Sequence, residues 1–431
     1  MRKIYILVLC LTGNLCAAQQ RLTLQDAIAR ALQYNYDIRM ADVVVKQADA
    51  NNTMGNAGML PDVAANAGYR QGTNNVFNQL SNGTEQIRPN AATSGLSASV
   101  DALWTVFDGG RMFVVKKQLG QREELASVQY RLQVQTTVSQ VIQAYAEVVW
   151  RHQQQVAIDT GIGLAATRMN ISRVQYESGS SAKVDFLQAT VDHNLRRTDS
   201  LNQQSLIYQS LTSLNVLLGE ESDRVYVVDD SLQFNIAMQP LDKERLQDVN
   251  LSLNVARRTA DIFKLDAKIA RAQHLPIVTI DGSYAFTRNT SAAGFALFSR
   301  SFGPSAGVNI NIPLYRGGNI RRQVKVASLE AMRYELAYDK QNTELSRQYR
   351  TGWRNYELSV AAYNLQSENI RYAKENVDIQ RARFRAGIAT TLETREAESS
   401  YVQALVSLYT AAYNVKVNET VVLELENRLV Q

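Results

Sequence analysis

Cysteine, histidine and proline are scarce in this sequence of 431 residues, and each scarcity restricts what the chain can be. Both cysteines, Cys10 and Cys16, fall within residues 1–18, where two basic side chains precede an apolar run that ends in Cys16-Ala17-Ala18. This pattern predicts a cleaved secretory signal. Lipid attachment at Cys16 is the alternative, but Leu15 stands where a small residue is required. The mature chain would therefore have no disulfide and no thiolate metal ligand.

Catalytic and metal-binding patterns are also missing. The three histidines are far apart without ligand spacing, and the sequence contains no nucleophile elbow, phosphate loop or metal motif. We therefore predict that the protein is not an enzyme and holds no cofactor. Without Arg2 and Lys3 the chain has 46 − 2 = 44 basic against 41 acidic residues, which disfavours nucleic acid as a partner. No apolar run of about 18 residues follows the signal, so no transmembrane helix is predicted.

Proline is absent from two long stretches, 111–218 and 319–425, and all six prolines lie outside them. Within each stretch apolar residues recur every three or four positions, which predicts a long helical hairpin. A single glycine marks each hairpin turn, Gly179 in the first and Gly387 in the second, at a spacing of 387 − 179 = 208. The chain is therefore predicted to be a duplication.

A glycine pair precedes each hairpin, with the same spacing of 317 − 109 = 208, and is predicted to form the strand-to-helix turn: Gly109, Gly110, Gly317 and Gly318. The two repeats are predicted at 19–219 and 246–431, joined by a linker at 220–245. At about 1.5 Å per residue, the first helix of a hairpin would be about 100 Å long. A compact domain does not need a helix of that length.

Two strands are predicted in each repeat, because apolar and polar residues alternate there with a period of two. The predicted strands cover about 62–70, 96–107, 277–287 and 305–314, and exposed loops are predicted at 71–94 and 289–303. The fold class is therefore mixed α and β. Strands of this length with one apolar face are typical of transmembrane barrels.

Four strands cannot close a barrel, and an open sheet edge cannot face lipid. Copies of the chain would then have to pool their strands, and the pattern does not choose between eight from two copies and twelve from three. The alternative is a soluble sandwich beside a coiled coil.

The order helix, Leu-Pro, strand, loop, strand, glycine pair, long helix, glycine turn and return helix occurs twice. Together with Phe107-Asp108-Gly109-Gly110 and Pro313-Leu314-Tyr315-Arg316-Gly317-Gly318, it resembles the TolC-type outer-membrane efflux proteins over essentially the whole mature chain. The resemblance implies a homotrimer in the outer membrane of a Gram-negative bacterium, with twelve strands in one barrel and the hairpins in a periplasmic α-barrel.

The resemblance also implies partners and a function. The partners are outer-membrane lipid, a periplasmic adaptor and an inner-membrane pump of the RND or ABC type, and the function is passive export of small molecules. One alternative is the exit duct of a type I protein secretion system. A remote alternative is a periplasmic coiled-coil scaffold or adhesin without a pore.

The same resemblance indicates where the periplasmic entrance would narrow. Family members commonly have acids six and nine residues beyond the second turn glycine, and these positions are Glu393 and Glu396 here. Threefold symmetry would stack their carboxylates into two rings that favour cations. The alternative is a solvated helix face with Arg395 as partner. Asp185, six residues beyond Gly179, would make a polar contact across the closed entrance.

Two departures from the family pattern lie near the second turn. Family members often have tyrosine and arginine where this chain has Phe384 and Ala389. Closure through those hydrogen bonds is not expected, and Arg383 or Arg385 would have to replace them.

Adaptor docking is expected at the hairpin turns, which comprise Ser178, Gly179, Ser180, Ala386, Gly387 and Ile388. The alternative is that each glycine only permits the turn. The glutamines of the first long helix would line either the lumen or a solvated outer face: Gln133, Gln135, Gln140 and Gln143.

Overall fold

The computed structural model describes residues 20–79, 81, 83–229, 231–293 and 296–430. The predicted signal at 1–18, with Cys16, lies outside the described residues. The chain forms two compact units. Of the described residues, the helical unit comprises those up to Ala41, Tyr130–Leu251 and those from Thr343, and the sheet unit comprises Asp42–Gln129 and Ser252–Asn342.

One order of elements, two helices, two strands and two long helices, occurs twice along the chain. The elements are β1 Gln20–Leu22, α1 Leu24–Tyr34, α2 Tyr36–Asn51, β2 Asp62–Gln79, β3 Glu85–Phe107, α3 Arg111–Glu177, α4 Lys183–Leu218, β4 Tyr226–Val228, α5 Lys243–Val249, α6 Leu251–Ala272, β5 Ile277–Ser291, β6 Phe298–Asn311, α7 Asn319–Arg385 and α8 Thr391–Leu425. Helices α3 and α7 each have 67 residues and begin directly after a glycine pair. None of the described helices combines the length and apolar character needed to cross a membrane.

The core of the helical unit lies where α1, α3 and α4 meet the short parallel pair β1–β4. Its fully buried side chains include Leu22, Ala27, Val141, Val148, Leu214 and Leu218. The Tyr145 hydroxyl donates to the Leu22 carbonyl (3.0 Å) and accepts from the Asp229 N–H (3.2 Å). One tyrosine thus joins both short strands to α3.

The segment between β4 and α5, inside the predicted linker, is held against α7 by two tyrosines seven residues apart. The Tyr356 hydroxyl donates to the Asn235 carbonyl at 2.7 Å, and the Tyr349 hydroxyl accepts from the Leu241 N–H at 2.6 Å. The Asn235 N–H donates to the Glu419 carboxylate of α8 at 2.8 Å. Helix α5 begins at Lys243, three residues before the predicted start of the second repeat.

The sheet unit contains a four-stranded antiparallel sheet in the order β2-β3-β5-β6. Its strands are longer than predicted, and the loop predictions for 71–94 and 289–303 are largely wrong. Strand β2 continues to Gln79 and β3 starts at Glu85, while β6 starts at Phe298 and ends at Asn311 instead of Leu314. The added segments are rich in Asn, Thr, Gly and Ser, so they lack the apolar alternation of a strand. Pairing with the neighbouring strand satisfies their backbone groups instead.

Candidate functional site

Both long hairpins turn at a glycine in the left-handed conformation. The φ angle is 76° at Gly179 and 74° at Gly387. In each turn the following N–H reaches back across the helix end: Ser180 donates to the Gln175 carbonyl at 2.8 Å, and Ile388 donates to the Arg383 carbonyl at 2.9 Å. A Cβ added at either glycine would meet nothing within 4 Å. The backbone angle, and not crowding, is therefore what requires glycine.

The two turns present different surfaces. All the predicted docking residues are exposed: Ser178, Gly179, Ser180, Ala386, Gly387 and Ile388. In the first turn the hydroxyls of Ser178 and Ser180 both donate to the Gln175 carbonyl at 3.0 Å. In the second turn Ile388 is 70% exposed, whereas Phe384 is buried. The first turn therefore offers hydroxyl groups and the second an apolar side chain.

Glu393 closes a capping box at the start of α8. Its carboxylate accepts from the Thr390 N–H (2.7 Å) and hydroxyl (2.9 Å), and the Glu393 N–H donates to the Thr390 hydroxyl at 3.2 Å. The backbone hydrogen bond from Thr390, followed by that of its hydroxyl, lowers the pKa of Glu393. Its charge is therefore held at the N-terminus of α8.

Glu396 and Asp185 lie in different surroundings from Glu393. Glu396 is exposed and belongs to the wall of a groove of about 610 Å³. Asp185 is half-buried at the start of α4 and accepts from the Ser181 hydroxyl at 2.7 Å. Arg395, the alternative partner of the two predicted gate acids, lies with its guanidinium 3.8 Å from the Asp192 carboxylate.

A largely buried ionic group, here called the Arg168 cluster, comprises Arg168, Asp192 and Glu398, with the exposed Arg395 at its edge. Arg168 of α3 is 3% exposed. Its Nε donates to Glu398 of α8 and its Nη1 to Asp192 of α4, both at 3.0 Å. Burial raises the pKa of Glu398, and the Arg168 guanidinium only partly opposes that shift. One guanidinium thus ties three helices together beside the groove that Glu396 lines.

The cluster was not predicted from the sequence, although a signal for it exists. Arg168 falls on the buried stripe of α3, between Leu164, Ala165 and Ser172. A charged residue at a position where the helical period demands an apolar one is a sign of a buried ion pair. Within the part of the chain that the structure describes, no group of three or more His, Cys, Asp or Glu side chains is arranged to hold a metal ion.

The glutamines of α3 do not share one environment. Gln135 is 3% exposed, and its amide donates to the Glu424 backbone carbonyl. Gln140 is exposed, while Gln133 and Gln143 are half-buried and donate to Thr137 and Ser139 of their own helix. Gln135 therefore joins α3 to α8 and lines neither a lumen nor an outer face.

One face of the sheet is an apolar band that lies open. The register aligns Trp104 with Ile280 and Val308 at one end, and Leu96 with Tyr69 at the other. Side chains along this face remain well exposed: Tyr69 66%, Val100 53%, Tyr284 55%, Phe302 63% and Val308 66%. Aromatic rings stand at both ends of the band, as they do in sheets that face lipid.

The opposite face of the sheet is polar. Its centre is Asp101, whose carboxylate accepts from Asn66 (2.8 Å), Ser99 (2.7 Å) and Ser283 (2.6 Å). Asp281 accepts from Asn309 at 2.9 Å on the same face. The sheet therefore separates an apolar surface from a hydrogen-bonded, water-compatible one.

Solved structures identify the class of fold. The Campylobacter jejuni CmeC outer membrane channel superposes with a TM-score of 0.80 at 16% identity, covering 94% of this chain and 85% of that one. The outer membrane protein VceC of Vibrio cholerae superposes with a TM-score of 0.74 at 18% identity, covering 94% and 95%. The chain has the fold of these two outer-membrane proteins.

Residues 27–220 and 243–425 match the family described as Outer membrane efflux protein, and the chain belongs to that family. The protein is therefore an outer-membrane efflux protein, and a large part of it lies in the periplasm. Its resemblance to TolC-type proteins, read from the sequence, is confirmed.

Three relatives illustrate the range of the family. TolC of Vibrio cholerae is 24% identical over 301 residues, which cover 67% of this chain and 67% of that protein. The pyoverdine export outer membrane protein OpmQ of Pseudomonas aeruginosa is 25% identical over 400 residues (88% and 80%). The proteases secretion protein PrtF of Dickeya chrysanthemi is 22% identical over 393 residues (86% and 81%). The alignment with Escherichia coli TolC spans 55% of that protein.

Proposed function

We propose that three copies of the chain form one passive efflux duct, with twelve strands in an outer-membrane barrel and the helical hairpins in a periplasmic tunnel. The observation that carries this proposal is a sheet with an open apolar face and two free edges. Strands β2 and β6 are those edges, and unpaired backbone groups are not tolerated where an edge faces lipid. Pairing β6 of each copy with β2 of the next removes every edge once the ring closes.

The width that a barrel needs for export supports three copies. Two copies would supply eight strands, and the interior of an eight-stranded barrel is just filled by side chains or by one small ligand. Three copies supply twelve strands and leave a lumen, onto which the polar face around Asp101 would open. Three is therefore the smallest number of copies that would leave a lumen for export.

The helical unit also has surfaces that suit a neighbouring copy. On α7, apolar side chains recur every seven residues and are more than half exposed: Leu358 53%, Leu365 67%, Tyr372 53% and Ile379 52%. On α4, Val184, Leu187, Val191 and Leu195 form a second exposed stripe. A seven-residue apolar repeat is the pattern of helices that pack side by side in a coiled coil. Adjacent hairpins of the assembly would cover these stripes.

The periplasmic entrance is proposed to close near the second turn. Exposed Glu396 would form the carboxylate ring that favours cations, and Glu393 would add its charge from the capping box at the start of α8. Asp185, at the start of α4, would make a polar contact across the closed entrance. The Arg168 cluster would hold α3, α4 and α8 together in the resting state, because one guanidinium on α3 hydrogen-bonds carboxylates of both other helices.

The exposed turns at Ser178–Ser180 and Ala386–Ile388 are proposed to dock a periplasmic adaptor, with an RND or ABC pump in the inner membrane. The duct itself would carry out no catalysis. Small molecules are the proposed cargo. Protein secretion remains the second candidate, because similarity extends both to a pyoverdine export protein and to a proteases secretion protein.

The proposal is tested by the mass of the protein in detergent, extracted from separated outer membranes, with light scattering corrected for bound detergent. Three times the mass of the mature chain is expected. A water-soluble single chain would eliminate the pore and favour a coiled-coil scaffold. Single-channel recordings of Glu396→Gln in a salt gradient then test the ring. The preference for cations is expected to fall, whereas Glu368→Gln, 17 residues before the end of α7, should leave it unchanged.

A further inference from the structure

Two exposed arginines lie at one end of the apolar band. This is the end opposite to the one where strands β5 and β6 join their helices. Arg288 of β5 and Arg300 of β6 are direct cross-strand partners, and both are exposed. Along the same row lie Leu96 and Tyr69, and the preceding row contains the pair Phe286–Phe302. The two guanidiniums therefore border an aromatic, apolar surface.

The distance along the strand puts this pair at one boundary of a membrane. Arg288 lies ten residues after Val278, an early apolar residue of the same face, which is about 33 Å along the strand. With a strand tilt of about 40°, that corresponds to about 25 Å along the membrane normal, the height of the apolar band of barrel proteins. Arginine is costly at the midplane of a bilayer and tolerated near its surface. Both side chains would therefore lie at the level of lipid headgroups.

The pair needs a counter-charge. Like charges directly opposite each other destabilise a sheet. No carboxylate occupies their own row or either adjacent row of the described sheet: the row before contains Ala67, Ala98, Phe286 and Phe302, and the row after contains Gln71, Ser94, Thr290 and Phe298. The Arg288 guanidinium lies 5.4 Å from the centroid of the Phe298 ring, a neutral partner that leaves the positive charge in place.

We propose that Arg288 and Arg300 bind the phosphate groups of an anionic lipid in the outer leaflet, an inference that rests on the membrane placement proposed above. Guanidinium groups bind phosphate oxygens through paired hydrogen bonds, and a phosphate between them converts their repulsion into attraction. The acyl chains of the same lipid would lie along Phe302, Tyr284 and Val308. This adjoining apolar surface favours a lipid over free phosphate.

The test uses the full-length protein in neutral detergent after its trimer mass has been verified. Lipid A, whose headgroup carries phosphates, is titrated into the micelles, and bound lipid is measured by native mass spectrometry. Each basic group near an anionic surface strengthens binding about fivefold, so Arg288→Gln/Arg300→Gln should bind about 25-fold more weakly. The matched control is Arg70→Gln/Arg88→Gln, which removes the same charge from the polar face, where Arg70 pairs with Gly95 and Arg88 with Val76. It should bind as the wild type does.

Each outcome is decisive. Equal affinity of wild type and Arg288→Gln/Arg300→Gln for lipid A would overturn the inference, as would equal binding of dephosphorylated lipid A. Displacement of lipid A by millimolar inorganic phosphate would indicate a free-phosphate site and also refute it. A trimer that binds lipid A equally well with and without both arginines would refute this inference alone. A water-soluble single chain would refute the proposed duct before any lipid is added.

Discussion

Replacing Arg168 by methionine should loosen the turn end of the first hairpin at neutral pH and much less at acid pH. The change leaves the Glu398 and Asp192 side chains, 7% and 13% exposed, without the guanidinium that contacts both at 3.0 Å. Removing one partner of a buried ion pair typically costs about 3–5 kcal/mol. The protein can instead protonate a carboxyl, which at pH 7 costs about 3.4 kcal/mol for a glutamate with the ordinary pKa of 4.5. We therefore expect a loss of about 3–4 kcal/mol at pH 7, or a roughly 150- to 900-fold rise in local opening.

The pH dependence is the distinguishing feature of this prediction. The cost of protonating the carboxyl falls by about 1.4 kcal/mol per pH unit, so the defect should shrink to about 1 kcal/mol at pH 5. The loss of local stability is measured by hydrogen exchange of the detergent-extracted protein, in peptides around Leu164 and Val402. The rates are corrected for intrinsic exchange at pH 7 and pH 5.

Two variants make that measurement specific. Arg196→Met is the matched control, because Arg196 lines the same groove but reaches Asp199, which is 52% exposed, only at 4.0 Å. The loss of local stability in Arg196→Met should stay below about 1 kcal/mol. Adding Glu398→Met to Arg168→Met should restore most of the protection. Wild-type exchange in Arg168→Met at pH 7, or a defect of the same size at pH 5, would refute the reasoning.

The remaining predictions concern glycine positions and one acid. Gly109→Ala should lower Tm more than Gly317→Ala: both residues have positive φ, but a Cβ at Gly109 would lie 2.7 Å from the Ala272 carbonyl oxygen whereas one at Gly317 meets nothing within 4 Å. We expect about 1–2 kcal/mol for the backbone strain alone and about 1–3 kcal/mol more for the overlap; equal Tm values would contradict this. Gly387→Val should reduce export while Gly387→Asn, which tolerates the left-handed angle, should spare the fold; normal export by both, with outer-membrane levels matched by immunoblot, would count against docking at this turn. Because the pKa of Glu398 is raised, the folded protein binds a proton more readily than the unfolded one, so its contribution to the free energy of unfolding is largest below the ordinary value of 4.5 and falls as pH rises through the folded pKa. Glu398→Gln should flatten that slope in chemical unfolding measured between pH 4 and pH 7, and an unchanged slope would assign it to another group.

Features that depend on neighbouring residues in the sequence were predictable. The apolar period and the absence of proline predicted long helices after each glycine pair, and α3 and α7 begin at Arg111 and Asn319. Positive φ at Gly179 and Gly387 was predictable for the same reason, because a tight turn after a helix demands a residue without Cβ. The strand ends were not predictable, since the polar segments that extend β2 and β3 are held by pairing with each other and, at Thr93 and Ser94, with β5.

The sequence by itself determined the helices, the duplication and the apolar face of each strand, because periodicity and glycine conformation are local properties of the chain. Only the tertiary structure decided which charges act together. Helical periodicity tells which side of α3 is buried but not which helix covers it, and Arg168 meets Glu398 across 230 residues of sequence. Likewise Glu393 and Glu396 look equivalent in the sequence, yet one is bound by Thr390 and the other faces a groove. Long-range packing sets these partners, and the electrostatics of the site follow from them.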